Sequence, residues 1–183
     1  VQLPNKGPWV GNGRTLAKIV KFVHEWPEII DSRIDVNKII VAGHSFGGAS
    51  AAIALAEGAP AVGAILLDPA FTGRNLQQYL RLIKTPVMLL GADQHYSSTY
   101  NRELFYRYIR GNFSEVSIKD AVHEDAQYPS GVGTTNEEQQ VTFVSAMTAT
   151  AFSLSFAGNF EYAWASFGDA LATGKLFNAE RKW

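Results

Sequence analysis

The chain has 183 residues, 46% of them hydrophobic and 18% charged, with a formal net charge of −1 and no cysteine. That length and balance fit one globular domain with a sizeable buried core. Near-zero net charge gives no electrostatic reason to expect nucleic acid or an anionic membrane as partner. Without cysteine there is neither a disulfide nor a thiolate metal site, and the chain is compatible with either redox compartment.

In chain order, residues 1–13 are rich in Pro, Gly and Asn and read as loop, starting without an initiator Met. Asn12 is the candidate N-cap of a helix over about 13–26, whose Leu16, Ile19, Val20 and Val23 fall on one face. His24 on that helix reads as a surface histidine. Ile39-Ile40-Val41 is a short β-branched run with the character of a fully buried strand. It runs into Gly43-His44-Ser45-Phe46-Gly47, a G-x-S-x-G pentapeptide, and then an Ala-rich helical stretch. Strand, sharp turn and helix form the context in which this motif carries chemistry. Gly43 and Gly47 let the turn tighten. Ser45 is held at its tip, and the Phe46 amide, at a helix N-terminus, points where an oxyanion forms.

Further strands are expected at 62–67, 86–91 and 115–119, separated by helices at about 76–83 and 99–110. Alternation at this spacing predicts an α/β fold with a mostly parallel sheet flanked by helices. Thr135-Asn-Glu-Glu138 has capping-box spacing and opens a helix over about 136–157, followed by another over 160–173. Phe143, Met147, Phe152, Trp164 and Phe167 lie at helical spacing, a pattern that core packing accounts for. No apolar run reaches the ~18 residues of a membrane span. The whole reads as one domain over 1–183: loop 1–13, catalytic core 14–130, C-terminal helices 135–183.

G-H-S-F-G-G-A-S resembles the nucleophile elbow of α/β-hydrolases. Within them it is most similar to the platelet-activating-factor acetylhydrolases, chlorophyllases, and dienelactone-hydrolase-like lipases and polyesterases. The likeness runs from about Leu16 to Tyr128. It implies a serine hydrolase of carboxylic esters, with a lipid, a polyester or a short acyl ester as substrate and no cofactor. A serine hydroxyl needs a base, and the base an orienting carboxylate, carried on loops after later strands in the order Ser, acid, His. His123 in Ala121-Val122-His123 follows the fourth strand and resembles the family's histidine loop. His44 adjoins the nucleophile and should point away from its hydroxyl, while His95 follows the third strand, where the family tends to supply an acid. The acid is Asp68 or Asp93, each just past a strand end. The likeness to the acetylhydrolase and chlorophyllase group implies Asp68, in Leu67-Asp68-Pro69, and leaves Asp93 as the alternative. Phe46, Phe71, Tyr96 and Tyr128 lie near the expected site and suit an apolar acyl or aromatic group.

Only 44 residues precede Ser45, fewer than the resemblance leads one to expect. The second oxyanion donor and several strands then have no evident home. The chain is therefore expected to be the C-terminal part of a longer protein. It is otherwise completed by a second chain, or is a non-catalytic module that kept the elbow for packing. The four histidines show no H-x-x-x-H pairing, so no metal site is expected.

Overall fold

A computed structural model describes residues 3, 8–70, 72–73, 75–94, 100–127 and 136–182. Helix α1 (Trp9–Glu25) leads through a short helix, α2 (Pro27–Ile30), to strand β1 (Ile40–His44) and helix α3 (Phe46–Ala56). Then follow β2 (Gly63–Leu67), α4 (Leu76–Leu80), β3 (Val87–Gln94), α5 (Tyr100–Tyr108), β4 (Phe113–Val122), α6 (Glu137–Ala157), α7 (Glu161–Ala172) and β5 (Leu176–Lys182). The strands form one sheet in the order β1-β2-β3-β4-β5. The first four are parallel and β5 runs antiparallel to β4.

The central strands are buried on both faces, while in the edge strand β1 only Val41 is buried. On one side Val41, Ala64, Leu66, Val87 and Leu89 pack with Ala17 and Val20 of α1, with α3, and with Leu80 and Phe105. On the other, Ile65, Met88, Leu90, Val116 and Ile118 pack with Phe143, Leu154, Trp164 and Phe167 of α6 and α7. Helix α3 is buried at every residue from Gly48 to Leu55. It lies between α1 and the sheet, and only an Ala-rich helix is thin enough for that place.

Two boundaries differ from those expected. The loop assigned to residues 1–13 ends early: α1 starts at Trp9, with Pro8 in extended conformation before it. Asn12 is not the cap, because its amide already donates to the Pro8 carbonyl at 3.2 Å. Gly11 and Gly13, read as loop signals, lie inside the helix. At Gly13 a Cβ would overlap the side chain of Ile53 on α3, so the glycine marks a close helix crossing rather than a turn. The C-terminal region expected as helices alone ends in β5. Its sequence, Leu-Phe-Asn-Ala-Glu-Arg-Lys, is mostly polar because it forms an edge with one neighbour strand.

Among the described residues, β1 pairs only with β2 and forms the other edge. Helix α6, with 21 residues and a mean hydropathy of 1.2 over its most apolar window, meets the length and composition of a membrane span. One marginal helix of this kind gives no clear transmembrane segment. In the structure it lays Phe143, Ala146, Thr150 and Leu154 against the protein interior.

Candidate active site

The site is built on the C-terminal ends of β1 and β2, which lie side by side. His44 is paired with Leu67 in the ladder, and the Ser45 amide donates to the Leu67 carbonyl at 3.0 Å. Each chain then turns sharply. Ser45 takes φ 55° and ψ −122°, and Asp68 takes φ 37°. Side chains avoid this left-handed side of conformational space, at a cost of ~1–3 kcal/mol each. At the first corner, the Ser45 carbonyl accepts from Gly48 at 3.0 Å and from Ala70 at 2.9 Å. A Cβ at Gly43 would run into the Gly47 carbonyl, so the elbow needs glycine there. At Gly47 a Cβ would meet open space; the second close approach is at Gly48, against Pro69.

Asp68 is 5% exposed. Its amide donates to the Leu90 carbonyl at 2.8 Å, and its Oδ1 accepts from the Ala92 amide at 3.1 Å. Oδ2 is left to accept from His123 Nδ1 at 2.5 Å. The half-buried His123 starts a 3₁₀ turn, His123–Ala126, directly after β4. Its pKa is raised from the ordinary 6.5, chiefly by the hydrogen bond to Asp68, with burial opposing. Nδ1–H facing a carboxylate leaves the Nε2 lone pair of the neutral ring available as a base. No hydrogen bond joins His123 to Ser45 Oγ among the described residues. Such contacts are commonly long until substrate is bound.

The other aspartate behaves differently. Asp93 Oδ2 accepts from the Asp120 amide at 3.1 Å, an exposed contact between the ends of β3 and β4. Phe46 is exposed, and its ring stacks on Trp9 with centroids 4.1 Å apart and planes within 6°. Phe71, His95, Tyr96 and Tyr128 lie outside the described residues. His24 is exposed, on the last turn of α1.

Three residues extend this constellation: His44, expected only as part of the elbow, and Gln127 and Trp9, which sequence reasoning had not placed there. His44 points toward the histidine turn. Its ring centroid lies 4.3 Å from that of His123, and its Nε2–H donates to the His123 carbonyl at 2.9 Å. Gln127 Nε2–H donates to His44 Nδ1, also at 2.9 Å. Burial first, and the neighbouring His123 second, push the His44 pKa down to about 4. Trp9, on the segment read as loop, is the third. Strand period would have predicted the direction of His44, whereas no local signal links Gln127 to a residue 83 positions away.

The turn is also anchored from the opposite side. Asp125, 1% exposed, accepts from the amides of Val122 and Asn136 at 2.8 Å each. Gln140 Nε2–H donates to the Gln127 carbonyl at 3.2 Å. Beside the turn lies a cleft of about 570 Å³ lined by Leu67, Ala126, Gln127, Phe143, Val144 and Met147, with Asp125.

Residues 7–175 match the model of a family described as the alpha/beta hydrolase family. A search of curated proteins gives no match. That match spans more than nine-tenths of the sequence, and the sheet, the elbow and its flanking helices agree with it; the chain belongs to the alpha/beta hydrolase family.

Proposed function

We propose that the protein is a serine hydrolase of carboxylic esters, with Ser45 as nucleophile, His123 as base and Asp68 as the orienting acid. The observation that carries this reading is the 2.5 Å contact of His123 Nδ1 with a buried Asp68, at the rim where Ser45 occupies a strained corner. Ser45 Oγ attacks the acyl carbon while its proton passes to His123 Nε2. The carbonyl oxygen becomes an oxyanion, toward which the Phe46 amide donates. Collapse expels the alcohol, which takes the proton from His123, and leaves Ser45 acylated. Water then attacks the acyl carbon with His123 again as base, releasing the acid and restoring the hydroxyl. Ester specificity rests on the family resemblance at Gly43–Ser50 and on the partly apolar cleft beside Gln127, which has room for an acyl chain or an aromatic group. The Asp68 assignment is favoured over Asp93 because Asp93 is held by the Asp120 amide.

An active-site fluorophosphonate should label the protein on Ser45, with no labelling of Ser45→Ala and slow labelling of His123→Ala. Turnover of p-nitrophenyl esters of graded chain length then reads the acyl preference. A protein that resists the probe and hydrolyses none of these esters is instead a non-catalytic module on this fold.

A further inference from the structure

We propose that His44 is a positioning residue: its ring brackets both ends of the turn His123–Ala126 and fixes the His123 imidazole against Asp68. The role rests on the serine-hydrolase reading above. Both ring nitrogens of His44 are used, and both bonds end on one segment. Nε2–H holds the carbonyl of His123 itself at the start of the turn. Nδ1 accepts from the side chain of Gln127, the residue just past its end. The pattern requires the neutral ring protonated on Nε2, because a carbonyl can only accept and the Gln127 amide nitrogen can only donate.

The ring also lies against the His123 ring, 4.3 Å between centroids and tilted by 43°. It therefore limits rotation of the imidazole out of the plane that reaches Asp68. Asp125, Asn136 and Gln140 tie the same turn to α6. Those contacts fix where the segment lies, but none touches His123. Only Asp68 and His44 hold that residue through side-chain hydrogen bonds, among the described residues.

The bracket has a mechanical consequence. His44 is the last residue of β1 and immediately precedes Ser45, so nucleophile and base are referred to one rigid strand end although 78 positions separate them in sequence (123 − 45). A half-buried histidine that only filled space would not need both nitrogens matched, and an apolar residue would fill the site without the cost of desolvating a polar ring.

Three variants test the assignment. His44→Phe keeps an aromatic ring and removes both hydrogen bonds. His44→Gln restores a donor near the His123 carbonyl. Gln127→Leu removes the second arm at an exposed position and leaves the fold intact. In the proton NMR spectrum, wild type should show a far-downfield Nδ1–H resonance assigned by its loss in His123→Ala. That resonance should broaden or move upfield in His44→Phe and Gln127→Leu and return in His44→Gln. Ester turnover should fall about 10–100-fold in kcat for His44→Phe with KM little changed, and roughly 3–10-fold for Gln127→Leu. In a His123→Ala background neither change should lower the residual rate further, whereas a general loss of structure would lower both.

The proposal is overturned if the resonance is missing from wild type, or if it and the serine-labelling rate are unchanged in Gln127→Leu and in a folded His44→Phe. Should wild type resist fluorophosphonate altogether, the hydrolase reading fails on its own, and the resonance still decides whether His44 holds the turn.

Discussion

Ser45 and Asp68 both occupy the left-handed side of backbone space, at corners that follow neighbouring strand ends. A carboxylate there that accepts from the Ala92 amide and from His123 cannot be exchanged for an amide without presenting N–H to N–H. Asp68→Asn should therefore lower kcat by about 10³–10⁴-fold through the wrong histidine tautomer, while Asp93→Asn stays within a few-fold of wild type. Equal losses, or the reverse order, would reassign the acid. In the proposed mechanism the pH profile follows His123. Its pKa is raised, so the neutral base is lost as pH falls through a value above 6.5, and kcat/KM should show its acid limb there. The linked stability runs oppositely in the two histidines. The pairing of His123 stabilises the fold fully below pH 6.5 and fades as pH rises past the raised value. His44, facing His123 and Gln127 with the Asp68 and Glu124 carboxylates in range, is lowered to about 4. Its neutral form contributes above pH 6.5 and is lost on acidification toward pH 4, by an estimated ~2–3 kcal/mol after allowance for partial exposure. The elbow turn and the segment after β4 were legible because each follows a strand end in a recognisable local pattern. The His44–Gln127 bond was not, because it is a long-range contact of two ordinary polar residues.

At the scale of elements, the parallel strands and the helices between them could be read to within about three residues at their ends, since buried apolar runs alternate with helical periodicity. The misreadings have particular causes. Gly11 and Gly13 were taken as loop signals although they lie inside α1. Strand β5 was missed because its apolar content is confined to Leu176 and Phe177, and its register is held by polar ends instead. Lys182 Nζ donates to the carbonyls of Tyr106 and Ile109 at the end of α5, and the Arg181 guanidinium lies 3.7 Å from the centroid of the Trp164 ring. The two helical glycines Gly13 and Gly168 should respond to alanine with opposite signs. At Gly13 the new methyl meets Ile53 and comes within 3.0 Å of the Ser50 carbonyl, which outweighs the helix-propensity gain and destabilises by about 1–3 kcal/mol. At Gly168, in α7 with open space around it, alanine should stabilise by up to ~1 kcal/mol. Thermal melts of the two variants decide it; a higher Tm for Gly13→Ala would mean that the crossing of α1 on α3 is looser than described.

For the molecule as a whole, the two sheet edges are managed differently. The β5 edge is rich in charge, whereas β1, Ile-Val-Ala-Gly-His, carries no Asp, Glu, Lys or Arg and is the other edge among the described residues. Just ahead of it in the chain, Lys38 lies over Phe156, which is 67% exposed. If that edge is open in solution, native-state hydrogen exchange should find the outward amides of β1 much faster than those of β3, which is paired on both sides. Equal protection would show that another strand covers it.

The order in which the layers are laid down has its own consequence. Every crossover from β1 to β4 runs through α3, α4 or α5, on the side occupied by the first apolar cluster, so that side is roofed as synthesis proceeds. Ile65, Met88, Leu90, Val116 and Ile118 on the reverse wait for α6 and α7, which leave the ribosome after all four parallel strands. A nascent chain halted before Glu137 therefore carries a finished parallel sheet with one greasy wall open to water, the kind of surface that recruits chaperones or promotes clumping.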